Sequence, residues 1–249
     1  MLKIVNIYES LINEAEIEAC VKSFGYELFG SELGGNEPNT GKENGYVRAI
    51  SDFTDNKFGE ETSSTFVKAI DNLKGCVRQY PEILIPDKTS VYRGTVIPLK
   101  YFVDRGQEIS LIKPNPYTYK GYSKIQSWSE TFDKAATFGN NEMINEIATD
   151  IDFNEYSTPE ARQGLINELI NKDLRIAFVL EYISNPKEFM FKSKYFRLLS
   201  MEKDEDELLR INNNPINVKA HYNDTKSEFN EAKSTMVLMK YINAGIKGI

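Results

Sequence analysis

The stretch Ser90-Val91-Tyr92-Arg93-Gly94-Thr95-Val96-Ile97, closed by Pro98, divides the chain into two kinds of sequence. β-Branched and aromatic residues dominate it, and the proline withholds a backbone donor, so it reads as a strand with a defined end. Before it the apolar residues keep a helical rhythm: Ile7, Leu11, Ile12, Ile17, Cys20, Val21 and Phe24 make one stripe over residues 7–29. Residues 30–44, rich in Gly, Asn and Glu, read as an exposed loop. Val47, Ile50 and Phe53 predict a short helix, residues 62–73 another, and 75–80 its continuation until Pro81 and Pro86 stop it. After Pro98 the chain reads mainly as strand and loop. Residues 123–129 predict a strand and 132–138 a helix with Phe132, Ala135, Ala136 and Phe138 as its apolar members. Thr158-Pro159-Glu160 opens a helix over 159–172. Residues 174–183 and 195–201 predict strands, and 207–211 with 216–222 a hairpin through Asn212-Asn213-Asn214-Pro215. A helix over 226–244 should stop at Gly245. Helices first and strands after imply an α+β fold rather than a doubly wound sheet.

Composition narrows the functions. The 249 residues suit one domain: a helical part (1–89), a mixed strand core (90–222) and a C-terminal helix (223–249). Hydrophobic residues make up 41% and charged residues 27%, which is ordinary globular usage. A net charge of −7 argues against charge-driven binding to nucleic acid or to an anionic membrane surface. Two cysteines, Cys20 and Cys76, make neither a disulfide framework nor a four-ligand zinc site. With one histidine, His221, a multi-histidine metal site is excluded, so no metal is expected. The N-terminus becomes acidic at Glu9, too early for a signal peptide, and no apolar run approaches membrane-spanning length. The expectation is a cytoplasmic protein.

Three short elements stand out, in order. Val91-Tyr92-Arg93-Gly94 puts an arginine on a strand. Ser127-Trp128-Ser129, the sole Ser-x-Ser of the chain, runs into Phe132-Asp133-Lys134-Ala135-Ala136-Thr137-Phe138. Glu205-Asp206-Glu207 leads into Leu208-Leu209. Together they resemble the Arg–Ser-x-Ser–Glu-x-Glu signature of the clostridial-toxin-like mono-ADP-ribosyltransferases. The resemblance covers most of residues 1–222. Within that class the chain is most similar to the arginine-specific Mod/Alt transferases of T-even bacteriophages. The resemblance implies two roughly perpendicular antiparallel sheets with helices around them and NAD in the cleft between. It makes NAD a substrate rather than a resident cofactor.

The same resemblance assigns roles. Arg93 binds the NAD pyrophosphate, which an arginine fork can grip bidentately. Gly94 lets the backbone approach the nicotinamide amide. Ser127 orients the catalytic glutamate, and Ser129 bonds backbone and shapes the turn. Trp128 replaces the threonine common in toxins. Glu207 holds the ribose 2′-hydroxyl and stabilises the oxocarbenium-like cation that forms as nicotinamide leaves. Glu205, two residues earlier and on the same strand face, pairs with the incoming guanidinium and helps remove its proton. Tyr117, Tyr119 and Tyr122 are candidates for the nicotinamide pocket. The spacing from Ser127 to Glu207 is longer than the family's, with the excess in 139–173 as a loop and an inserted helix. The implied partners are NAD and host proteins with exposed arginines, among them transcription or translation proteins. Two alternatives stay open: a catalytically silent binding module on the same fold, and transfer to nucleic acid guided by Lys187, Lys192, Lys194 and Arg197.

Overall fold

The computed structural model describes residues 15–17, 19–20, 74–121, 125–185, 190–192, 207–211, 214–224 and 229–248. The expected loop at 30–44, the helices at 47–53 and 62–73 and the strand at 195–201 lie outside them. The class is α+β. Seven strands are described: β1 (Ser90–Pro98), β2 (Asn115–Tyr119), β3 (Ile125–Ser129), β4 (Arg175–Ile183), β5 (Met190–Lys192), β6 (Glu207–Ile211) and β7 (Ile216–Tyr222). The chain divides into two compact units. One holds 1–91, 120–130 and 183–216; the other holds 92–119, 131–182 and 217–249.

In the first unit the strands follow the order β3-β6-β5, antiparallel at both pairings. Residues 15–17, 19–20 and 74–79 are helical, and Cys20 and Cys76 are joined in a disulfide with Cα atoms 5.8 Å apart. That separation is ordinary for such a bridge. The chain then turns through Pro81–Ile83, whose Ile83 is fully buried, and Ile85 N–H donates to the Met190 carbonyl of β5 at 3.0 Å.

In the second unit the strands follow the order β2-β7-β4-β1. β4 is the central element. Residues 176–180 are buried without interruption, as expected of a strand covered on both faces. It pairs antiparallel with β7. Helices Glu142–Asp150 and Pro159–Asn171 pack on the long helix Phe229–Lys247. The second of these starts as the sequence implies, with Pro159 in the first turn and the Thr158 hydroxyl accepting from Ala161 N–H at 3.2 Å. Asn141 and Asn223 pin the loop after Phe132–Ala136. Asn223 donates to the Ala136 and Gly139 carbonyls at 2.8 and 2.9 Å, and Asn141 accepts from Ala177 N–H at 2.7 Å.

Several expectations are corrected. β6 and β7 have the expected bounds but form no hairpin, since β6 pairs with β3 and β5 while β7 pairs with β4. The Asn-rich link therefore joins strands with different neighbours. Gly245 does not stop the last helix, which runs to Lys247. A Cβ there would lie 2.5 Å from Ile166 Cδ1, so this glycine allows close packing of two helices. Phe138 is 62% exposed rather than core, because the helix ends at Ala136 and the phenylalanine falls beyond its last turn. A helix at Leu99–Val103 and the short β5 were not anticipated, and the 139–173 segment carries two helical pieces besides the expected one. Among the described residues no helix is long and apolar enough to cross a membrane.

Candidate functional site

The second and third sequence elements meet in the first unit. The antiparallel register sets Ser129 opposite Glu207, Ser127 opposite Leu209 and Gln126 opposite Arg210. A one-residue slip would turn every side chain of β3 to the other face, so something must hold the register. Trp128 and Gln126 do so. Both are about 2% exposed, and alternation sends them to the face opposite Ser127 and Ser129. Leu208 and Arg210 are buried as well, at 1% and 0%. The Arg210 guanidinium donates to Gln126 Oε1 at 2.9 Å and to the Asn214 carbonyl at 3.0 Å. A charge taken out of water must be hydrogen-bonded to be tolerated, so this pair ties β6 to β3 in one register. Gln126 in turn lies against Gly121, where a Cβ would meet its amide nitrogen at 1.7 Å. Ser127 stays half-buried at the strand's other face, and Ser129 is buried at 7% exposure.

The first sequence element lies in the second unit. Arg93 is half-buried on β1, with its guanidinium carbon 5.8 Å from the centre of the Tyr119 ring, within cation–π range. Alternation sends Tyr92 and Gly94 to the other face, where the helix Phe132–Ala136 packs. A Cβ on Gly94 would lie 2.1 Å from the Ala135 carbonyl oxygen and 3.0 Å from Phe138 Cβ. Close approach of that helix to β1 thus gives Gly94 a structural reason, which the sequence reading had placed at the nicotinamide. Tyr92 meets Phe132 edge-on at 5.7 Å, and Phe132 meets His221 edge-on at the same distance.

His221, which the sequence reading left without a role, hydrogen-bonds Glu181 at 2.9 Å, and Lys219 lies 3.6 Å from the same carboxylate oxygen. Burial pushes the Glu181 carboxyl up, but the His221 hydrogen bond and the charges of Lys219 and His221 outweigh it and hold the group below its ordinary value. Tyr222 shifts upward, through burial first and the charge of Asp224 second. Of the candidate pocket tyrosines, Tyr119 is the one beside Arg93. Tyr117 packs edge-on against Tyr101 with ring centres 4.8 Å apart, and Tyr122 lies outside the described residues.

The structure therefore brings Ser127, Ser129 and Glu207 onto one strand pair of the first unit and places Arg93 and Gly94 in the second. Glu205 lies outside the described residues, as do Lys187, Lys194 and Arg197; Lys192 closes β5. Among the described residues no three His, Cys, Asp or Glu side chains gather as metal ligands. The Gln126–Arg210 pair was missed by sequence reasoning. An alternation of buried polar residues on facing strands is its signal, and that signal is visible only once the pairing is known. Comparison of the chain with protein-family models, with curated proteins and with solved structures gives no match.

Proposed function

We propose that this chain is an NAD-dependent, arginine-specific mono-ADP-ribosyltransferase acting on proteins. The observation that carries the reading is the register of β3 on β6. It sets Ser129 directly opposite Glu207, and Ser127 two residues along the same face, from segments far apart in sequence. A Ser-x-Ser or a Glu-x-Glu alone is common; their pairing in register is not demanded by composition or by either motif. In this reading NAD is the substrate and Arg93 grips its pyrophosphate. The glycosidic bond from ribose to nicotinamide breaks, and nicotinamide leaves as a neutral base from a cationic pyridinium, so no general acid is needed. Glu207 supplies the negative charge that the ribosyl cation requires. Glu205 pairs with the acceptor guanidinium and takes its proton as the new C–N bond forms, since a group with a pKa above about 12 cannot attack while protonated. Host proteins of a phage infection are the acceptors this reading favours.

The test follows radiolabelled ADP-ribose from NAD into a bacterial lysate. Wild type should label discrete protein bands. Glu205→Gln should lose labelling while still releasing nicotinamide slowly, because water replaces the guanidinium. Equal labelling by wild type and Glu205→Gln would exclude arginine as the acceptor. Label carried in ribonuclease-sensitive material would move the acceptor to RNA.

A further inference from the structure

The two cysteines are the only ones in the chain, and they are bonded to each other across a sequence separation of 56. We propose that Cys20–Cys76 is a reversible redox staple that sets the rigidity of the β3-β6-β5 sheet. This inference stands apart from the proposed activity.

The physical route runs within one unit. Cys20 sits in the helical residues 19–20 and Cys76 in the helix 74–79. The Tyr80 hydroxyl also links the two segments, donating to Glu16 at 3.1 Å at an exposed position, and Ile17 of the first segment is buried. The covalent bond fixes the two segments more firmly than an exposed hydrogen bond can. Tyr80 N–H donates to the Cys76 carbonyl at 2.7 Å, and the chain passes through buried Ile83 to Ile85. Ile85 N–H then bonds the Met190 carbonyl, and Met190 pairs with Arg210, which pairs with Gln126. Thr89 N–H bonds the Ser184 hydroxyl at 3.0 Å, and that hydroxyl bonds the Pro86 carbonyl, so the far end of the segment is fixed too. From Cys76 to β5 the backbone is short and hydrogen-bonded. A constraint at the cysteine is transmitted rather than absorbed.

The exchange chemistry has a preferred end. Cys20 is partly exposed while Cys76 is 3% exposed. A thiolate of a dithiol reductant attacks Cys20 Sγ, the Cys76 thiolate leaves and takes a proton, and the second thiol of the reductant resolves the mixed disulfide. Two electrons and two protons enter the protein. Glutathione disulfide reverses the step, accepting both electrons and leaving as two glutathione molecules.

The test uses the full chain, equilibrated either with excess dithiothreitol or with glutathione disulfide, then alkylated and weighed. The proposal expects no alkyl group on the oxidised protein and two on the reduced one. It expects the melting temperature to fall by about 5–15 °C on reduction, from the entropy released by opening a long loop. Amide exchange should quicken at 82–85 and 190–192 on reduction and stay unchanged at 175–183. Cys20→Ser should melt like reduced wild type in both buffers. Two free thiols after treatment with glutathione disulfide would overturn the proposal. So would a melting temperature indifferent to reduction, or exchange at 190–192 that reduction leaves unchanged. These outcomes are read on wild type, so a variant that failed to fold would not decide the matter.

Discussion

At the scale of single residues, Gly94 and Glu181 carry the sharpest expectations. The place a Gly94 Cβ would take is 2.1 Å from a backbone oxygen, which cannot rotate aside. Gly94→Ala should therefore push the helix Phe132–Ala136 off β1 and destabilise by about 1–3 kcal/mol, read by denaturant melts. A neutral effect would mean that the helix is not packed as described. Glu181 is a group whose folded carboxyl is held below its ordinary 4.5. Its contribution to stability is complete above the unfolded pKa and is lost as pH falls through the lower folded value. The melting-temperature gap between wild type and Glu181→Gln should thus be present at neutral pH and close in acid below that value. A gap that widens in acid would contradict the assignment. Neither residue's role was legible beforehand. A glycine next to an arginine expected to bind a ligand invites a ligand explanation, and His221 could be paired with Glu181 only after β4 met β7.

At the scale of elements, β3 shows what sequence can and cannot say. Its bounds were close to plain, because alternating Gln126, Ser127, Trp128 and Ser129 ends at a helix start. Its partner was not, since pairing depends on which distant strand buries the complementary face. Strand bounds at Glu207–Ile211 and Ile216–Tyr222 were likewise legible from their apolar runs. The hairpin expected from their closeness in sequence was wrong, because tertiary burial of Leu208 and Arg210 against β3 outweighed the short link. Trp128 holds this register together with the Gln126–Arg210 pair. Trp128→Ala should cost about 3–5 kcal/mol by the cavity it leaves. It should also lower any activity that depends on Ser129 standing opposite Glu207 in the register. Trp128→Phe should recover most of the stability. Loss of under 1 kcal/mol in Trp128→Ala would show that the Gln126–Arg210 pair sets the register without the tryptophan.

At the scale of the whole molecule, the order of helices and strands, the apolar β4 and the long C-terminal helix are readable as α+β from the sequence. The division of the chain into two interleaved units was not, because each unit gathers segments from three parts of the sequence. Nor was the disulfide, since two cysteines far apart in sequence say nothing about their separation in space. The central proposal is that Glu207 of β6 cleaves NAD. Nicotinamide release from NAD by purified wild type and by Glu207→Gln, at equal melting temperature, tests it most directly. The account predicts measurable release by wild type and a drop of about two to three decades in the variant. Release that is unchanged in Glu207→Gln, or no release and no NAD binding by wild type, would contradict it.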